Sequence, residues 1–327
     1  MKKSAIAIAV AAALTSLQAQ AVRSVTDSGT EIDFSSTVSF GLQVRTSKRS
    51  PTTFGNDNGA GVPIGATLGS QINGPGNDGA ANPDFNFLNG DDGNLNYNRG
   101  DIVSAALKGT HEFGLKTPDG WRALVRGTWV GDFKAGDTRR TPLSDDAKRI
   151  ATRNFTLLDA WVSKDLKLID ERTATVRLGN QVISWGEDIF ILGGVNQINA
   201  LDLQKFHVPG TQLKEIFVPA PMVSWSGGIT DKLGLEAYYQ FAWNSFKFDP
   251  AGTFFSTADV IGKGNRVAYM PTSICNDFGL PTPCGDRSGL TDQQMINNGT
   301  ALPYLGQQKP GWGGQFGVNL RYNAEEI

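Results

Sequence analysis

From Ile32 onward the chain alternates apolar and polar side chains with a period of two. Ile32, Phe34, Val38, Phe40, Leu42 and Val44 fall on one face, and Asp33, Ser35, Thr37, Ser39, Gln43 and Arg45 on the other. That pattern marks a strand with one dry and one wet side. It returns in Ile102–Phe113, where Val103, Ala105, Leu107 and Phe113 oppose Ser104, Lys108, Thr110 and Glu112. In Trp121–Lys134, the residues Trp121, Ala123, Val125, Trp129 and Phe133 oppose Arg122, Arg126, Thr128, Asp132 and Lys134. Leu233–Trp243 sets Leu233, Leu235, Ala237, Tyr239, Phe241 and Trp243 against Glu236, Gln240 and Asn244. Trp312–Tyr322 sets Phe316, Val318, Leu320 and Tyr322 against Gln315, Asn319 and Arg321.

Three further runs alternate less cleanly. Both faces of Asn154–Lys164 are partly apolar, which leaves the face of Asp159 open. Thr173–Trp185 breaks at Gly179-Asn180, where a β-bulge is expected. Pro219 and Pro221 place the start of the next strand at Met222, giving a short Met222–Ile229. The connections at 115–120, 165–172 and 230–232 are short, whereas those at 46–101, 135–153, 186–221 and 248–311 are long. Strict alternation of short and long connections, with several runs reaching the ~9–11 residues a membrane-crossing strand needs, predicts an all-β, antiparallel transmembrane β-barrel. Eight strands are visible, within what is expected to be a larger barrel with long outer loops. All seven Trp are expected inside strands, several near their ends, as an interfacial girdle would require. A secreted β-sandwich with core Trp is the alternative, since alternation alone does not distinguish a core from lipid.

The N-terminus fits export. Met1-Lys2-Lys3, the apolar run Ala5–Leu14 and Ala19-Gln20-Ala21 supply the three parts of a Sec signal peptide, so residues 1–21 are set apart from the fold and residues 22–327 are assigned to the barrel. The implied location is the Gram-negative outer membrane, with outer-membrane lipid as a partner. Lys+Arg is 30 and Asp+Glu is 32, which gives no basic excess for nucleic acid. Two His and two Cys argue against a His-rich or Cys-rich metal cluster, and no metal or cofactor is expected. No Gly-x-Ser-x-Gly elbow, His-Glu-x-x-His helix or Walker-type loop occurs, so no enzyme activity is expected. His111, on an apolar face, and His207, after an expected short helix, have no evident nucleophile beside them.

Three sets of residues are candidates for function. The first is the expected lumen lining: Arg45, Lys108, Glu112, Arg122, Arg126, Lys134, Arg177, Glu236, Gln240 and Arg321, with Asp33 and Asp132 on the same side. An Arg facing lipid at midplane costs about 2–4 kcal/mol, which turns Arg122, Arg126 and Lys134 inward. These charges set solute selectivity or form a salt-bridge lattice that fills a narrow barrel; their mixed signs argue against strong ion selectivity. The second is a gating or docking segment, 186–221, with polar groups at Glu187, Asp188, Asn196, Asn199 and Asp202. There Ile189-Phe190-Ile191-Leu192 is too apolar for an outer loop, and Asn199 is expected to cap a short helix through Phe206. The segment either enters the barrel as a constriction or docking surface or packs on its rim. The third is a structural disulfide between Cys275 and Cys284. Asp91-Asp92-Gly93-Asn94 reads as a solvated turn rather than a calcium loop, and Arg99-Gly100-Asp101 as a loop-to-strand boundary.

Several stretches resemble a known family. They include Leu157-Leu158-Asp159-Ala160-Trp161, Arg177-Leu178-Gly179-Asn180-Gln181-Val182-Ile183-Ser184-Trp185-Gly186-Glu187 and Gly193-Gly194-Val195-Asn196-Gln197-Ile198-Asn199-Ala200-Leu201-Asp202. Pro209-Gly210-Thr211-Gln212-Leu213-Lys214-Glu215 and Leu235-Glu236-Ala237-Tyr238-Tyr239-Gln240 continue the match. Together they resemble the proteobacterial family catalogued as domain of unknown function 1302, a group of outer-membrane-type proteins. The resemblance implies handling of hydrophobic compounds such as lipids, sterols or hydrocarbons across the envelope, often beside an inner-membrane or periplasmic exporter partner of the resistance-nodulation type. Family members run longer, and this chain ends Asn323-Ala324-Glu325-Glu326-Ile327 without a terminal aromatic, so it is expected to be an N-terminal portion. The expected function is passage or presentation of a hydrophobic or amphipathic solute. The alternatives are a non-conducting surface, structural or adhesion barrel and an outer-membrane hydrolase.

Overall fold

The computed structural model describes residues 21–49, 89–90, 92–168, 171–186, 198–270, 272–281 and 290–324. Residues 1–20 of the expected leader lie outside them. β1 (Val22–Val25) leads into the long strands β2 (Glu31–Val44), β3 (Ile102–Lys116), β4 (Trp121–Asp132) and β5 (Arg153–Lys167), and then β6 (Thr173–Gln181). The two-residue strands β7 (Ala200–Leu201) and β8 (Phe217–Val218) pair only with each other. β9 (Ala220–Gly228) and β10 (Leu233–Gln240) follow, then another two-residue pair, β11 (Ala268–Tyr269) and β12 (Ala301–Leu302), and finally β13 (Gln315–Tyr322).

Nine of these strands form one antiparallel sheet in the order β1-β2-β3-β4-β5-β6-β9-β10-β13. Among the described residues β1 and β13 are its edges, and the sheet does not close. The chain is thus mostly β, with few helices, and no helix of the described residues is long and apolar enough to cross a membrane. The sheet has one strand more than the eight runs, because β1 is too short for alternation to reveal it. Proximity to β2 creates it, in the register Val22↔Phe34 through Val25↔Glu31.

Register fixes the two faces. Ser39↔Lys108, Lys108↔Val130 and Glu112↔Arg126 lie on one face; Phe40↔Leu107 and Phe113↔Val125 lie on the other. Along β10 and β13, Glu236↔Asn319 and Gln240↔Gln315 continue the first face, and Leu235↔Leu320 and Tyr239↔Phe316 the second. The second face is exposed and apolar: Phe155 is 73% and Phe316 72% accessible, and Leu42, Val125, Leu178 and Leu320 are also exposed. The first face holds the charges, and over β2–β5 other parts of the chain cover it.

Several local details differ from the sequence pattern. The bulge is not at Gly179, through which the β5–β6 register runs unbroken. It lies in β5: pairing steps from Val125↔Ala160 to Gly127↔Leu157, so β5 carries one extra residue opposite Arg126. The extra residue flips the phase of alternation, and Leu158 and Asp159 both turn away from the exposed face, at 0% and 5% accessibility. This explains why both faces of that run look partly apolar.

Four Trp (Trp121, Trp129, Trp161 and Trp225) lie in strands, but Trp185, Trp243 and Trp312 lie just beyond strand ends. Pairing stops before those indoles: Gln181 is the last residue of β6 paired to β9, and Gln240↔Gln315 closes the β10–β13 ladder. Pro221 is inside β9, opposite Asn180, and its carbonyl still accepts from the Phe241 amide at 2.8 Å. The 186–221 segment contains no helix capped by Asn199. Its described part starts as strand β7, then makes two 3₁₀ turns, Leu203–His207 and Leu213–Glu215, with Asp202 at the first N-cap and making no side-chain cap bond. Asn199 instead brackets Ile183, whose amide donates to its Oδ1 at 3.2 Å. Asp92 is not a solvated turn residue. It is buried, accepts from Arg140 Nη1 at 3.1 Å and Thr141 Oγ1 at 3.0 Å, and ties the loop helix Asp92–Leu95 to residues 140–141.

Candidate functional site

The described part of the 186–221 segment lies on the charged face of β2 and β3. Gly41 is a glycine because Pro209 lies against it: a Cβ there would sit 2.2 Å from Pro209 Cβ. Next along β2, Gln43 Nε2 donates to the His207 carbonyl at 2.7 Å. Across on β3, Lys108 Nζ donates to the Gly210 carbonyl at 3.0 Å and forms a buried ion pair with Glu215. Thr110 Oγ1 donates to the same carboxylate at 2.7 Å. Burial opposes ionisation of Glu215, but the bonds from Lys108 and Thr110 outweigh it and hold the carboxyl below its usual range.

The remaining charges of this face pair with one another. Arg126 bonds Asp159 and lies 3.6 Å from Glu112, which Lys214 approaches equally closely. Arg122 pairs with Asp165, and the Arg177 guanidinium stacks 4.2 Å from the centre of the Trp161 ring. Arg321 pairs with Glu236 at 3.2 Å in a more open position, while Gln240 is buried. Of the expected lining residues, eight lie on this face: Lys108, Glu112, Arg122, Arg126, Arg177, Glu236, Gln240 and Arg321. Arg45 is one residue past β2 and donates to the carbonyls of Asn94 and Tyr97, at 2.9 and 3.2 Å. Lys134 is beyond the end of β4, where its ammonium lies 2.9 Å from Asp137. Glu187, Asp188 and Asn196 lie outside the described residues. Asp202 is buried, 3.5 Å from Lys247 Nζ, and among the described residues neither carboxylate oxygen has a hydrogen-bond partner. Cys275 is buried and disulfide-bonded; Cys284 lies outside the described residues.

A cavity opens where this segment meets the strand ends nearest the long connections. Its volume is about 70 Å³, and it is partly open to solvent. Its floor is Gln43, Ser104, Thr128 and Asp132 from β2–β4. One wall is Ile150 and Ala151 of the helix Asp145–Thr152, another is Lys205 to Val208, and Phe254 and Phe255 form the third. His207 stacks on Phe255 with centroids 4.0 Å apart, and its Nδ1 lies 3.0 Å from Asp249 Oδ1. Phe254 packs edge-on to Tyr97 at 5.5 Å. Burial, partly offset by Asp202, lowers the Lys205 ammonium from 10.5 to about 8.

Pattern reading did not bring Lys205, Asp249, Phe254 and Phe255 together. The only advance signal was the density of small and turn-forming residues, Pro209-Gly210 opposite Ser39 and Gly41, which permits close backbone approach. Among the described residues no group of His, Cys, Asp and Glu could hold a metal ion. His111 is part of a structural chain on the exposed face: Trp129 Nε1 donates to its Nε2 at 3.0 Å, leaving Nδ1 to donate to Ser36 Oγ at 2.8 Å. The model of the family described as "Protein of unknown function (DUF1302)" matches residues 2–327. No curated protein and no solved structure matches the chain.

Proposed function

The chain belongs to the DUF1302 family, and from that premise we propose that it is a Gram-negative outer-membrane β-barrel that passes or presents a hydrophobic or amphipathic solute. The observation that carries this reading is the inverted sheet. The long strands β2–β5 offer mainly apolar side chains to the outside and turn most of their charges to the other face, with Arg153 and Lys164 near the ends of β5 as exceptions. In water so large an exposed apolar face is unfavourable, since monomeric soluble proteins rarely expose patches beyond a few hundred Å². In a bilayer it is the favourable arrangement, and burying Arg126 on the other face avoids the roughly 2–4 kcal/mol that an Arg at midplane costs.

Strand length and connection length support the same reading. β2, β3, β4 and β5 have 14, 15, 12 and 15 residues, enough to cross the hydrocarbon core. The short connections at 117–120, 168–172 and 229–232 lie at one end of the sheet and would be the periplasmic turns. The long ones at the other end build the cavity, which on this reading is a receptacle at the outer mouth. The charges below it are of mixed sign and mostly paired, which argues against a filter for ions of one sign.

Transposing one charge tests the sidedness. Val125→Arg combined with Arg126→Val is expected to block membrane assembly, while Arg126→Gln alone assembles. Equal protease protection of the two variants would overturn the barrel. Solute passage is tested by flux across planar bilayers holding the full chain; a folded chain that admits neither solute nor ions leaves the non-conducting surface barrel in its place.

A further inference from the structure

We propose that the cavity at the strand ends takes an amphipathic anion, its apolar body lying against Phe254, Phe255, Tyr97 and Ile150 and its head group on Lys205. The proposal rests on the solute-presenting reading above and specifies the chemical class of that solute.

The argument starts from charge balance. Lys205 is 6% accessible and borders the cavity. Its ammonium has no hydrogen bond or ion pair among the described residues, and the carboxylates nearest it, Asp202 first, offset its burial only in part. Glu215 is held by Lys108 and Thr110. Asp202 faces Lys247 at 3.5 Å. Asp249 faces His207 at 3.0 Å.

Asp132 also borders the cavity, but donors from β3 and from its own turn enclose it. Ser104 Oγ and the amides of Ala105, Lys134 and Ala135 all donate to it, the amides at 3.0, 2.8 and 2.8 Å. A buried cation without a contact ion pair is unfavourable, and a bound anion lowers that cost. Phe254, Phe255, Tyr97 and Ile150 make part of the lining aromatic and aliphatic, so an anion with an apolar body displaces water from it. A small inorganic anion would satisfy Lys205 and leave the Phe254–Phe255–Tyr97 surface wet. An apolar alcohol would cover that surface and leave Lys205 unpaired.

The test uses the full chain in lipid nanodiscs, with protein-free discs subtracted. Radiolabelled dodecanoate, dodecanol and dodecyltrimethylammonium have the same apolar chain and differ in head group. Dodecanoate is expected to bind saturably and at least tenfold more tightly than dodecanol, with dodecyltrimethylammonium weakest. Lys205→Met should remove the preference for dodecanoate and keep dodecanol binding, and Lys205→Arg should preserve the preference. Equal affinity of the wild-type chain for dodecanoate and dodecanol would overturn the proposal, even if the Lys205 variants fail to assemble. So would an unchanged preference in an assembled Lys205→Met. Dodecanoate selectivity without flux of any solute would overturn the transport reading alone, and flux without selectivity would overturn this one alone.

Discussion

The charged face of the sheet is built by one alternation rule but ends in two different surfaces. Over β2 and β3 the chain folds back, and the Lys108–Glu215 pair is 3% and 1% accessible. Over β10 and β13 no such segment arrives among the described residues, and the Arg321–Glu236 pair is 58% and 28% accessible. Lys108, Glu236 and Arg321 all occupy charged-face positions of antiparallel strands, whereas Glu215 reaches Lys108 from the covering turn Leu213–Glu215. What separates them is residue size beside the backbone: Gly41 and Ser39 let Pro209 and Gly210 approach β2. On the other half Gly317 is filled from above by the side chains of Tyr238 and Trp185. Alternation therefore assigns a face, and close-approach positions decide whether that face becomes a site.

The comparison is broken most severely at Gly41. Gly41→Leu must push Pro209 away, and it is expected to cost at least about 3 kcal/mol, the upper part of the overpacking range. Gly131→Leu is the control on the exposed face, where an added Cβ meets nothing within 4 Å. Only Gly41→Leu should lower the temperature at which the folded band is lost in heat-modifiability electrophoresis. If both behave alike, the 198–216 segment is not seated as described.

The two ion pairs give the next contrast. Lys108→Met strands a buried Glu215 carboxylate and is expected to destabilise by about 3–5 kcal/mol. Arg321→Met removes a partly solvated partner and should cost less than about 1 kcal/mol. Denaturant titrations of the two variants that coincide would show the halves to be equally covered.

The smallest effect is the pH response of Lys205. Its folded value near 8 lies below its ordinary 10.5, so the unfolded chain binds more protons between those two values. Stability should rise with pH across that window, by at most about 1.4 kcal/mol per unit. Lys205→Met should lose that increment relative to the wild-type chain in thermal melts at pH 7.5 and 10. An anion seated on Lys205 stabilises the ammonium, so saturating dodecanoate should flatten the same pH response.

Much of this was legible in the residues. Period two placed Arg126 inward and Val125 outward, and the structure gives them 11% side-chain and 49% residue accessibility respectively. Asp159 was not legible, because the bulge that turns it toward Arg126 is visible only once β4 and β5 are paired. Lys134 looked like one more inward cation, but the ladder ends at Asp132 and Lys134 joins a turn. Asn199 looked like a helix cap, but Ile183 claims its side chain.

The sequence by itself determined eight strands of the large sheet, the sidedness of those that alternate cleanly and the family, because each depends on neighbours along the chain: side chains on a pleated strand alternate whatever else the protein does. Only the tertiary structure decided the bulge, the covered half of the sheet and the cavity. Those depend on groups far apart in sequence, such as Lys108 and Glu215, 107 residues from one another. Such a pair forms when strand order and backbone approach bring the partners within reach, and neither is encoded in local periodicity.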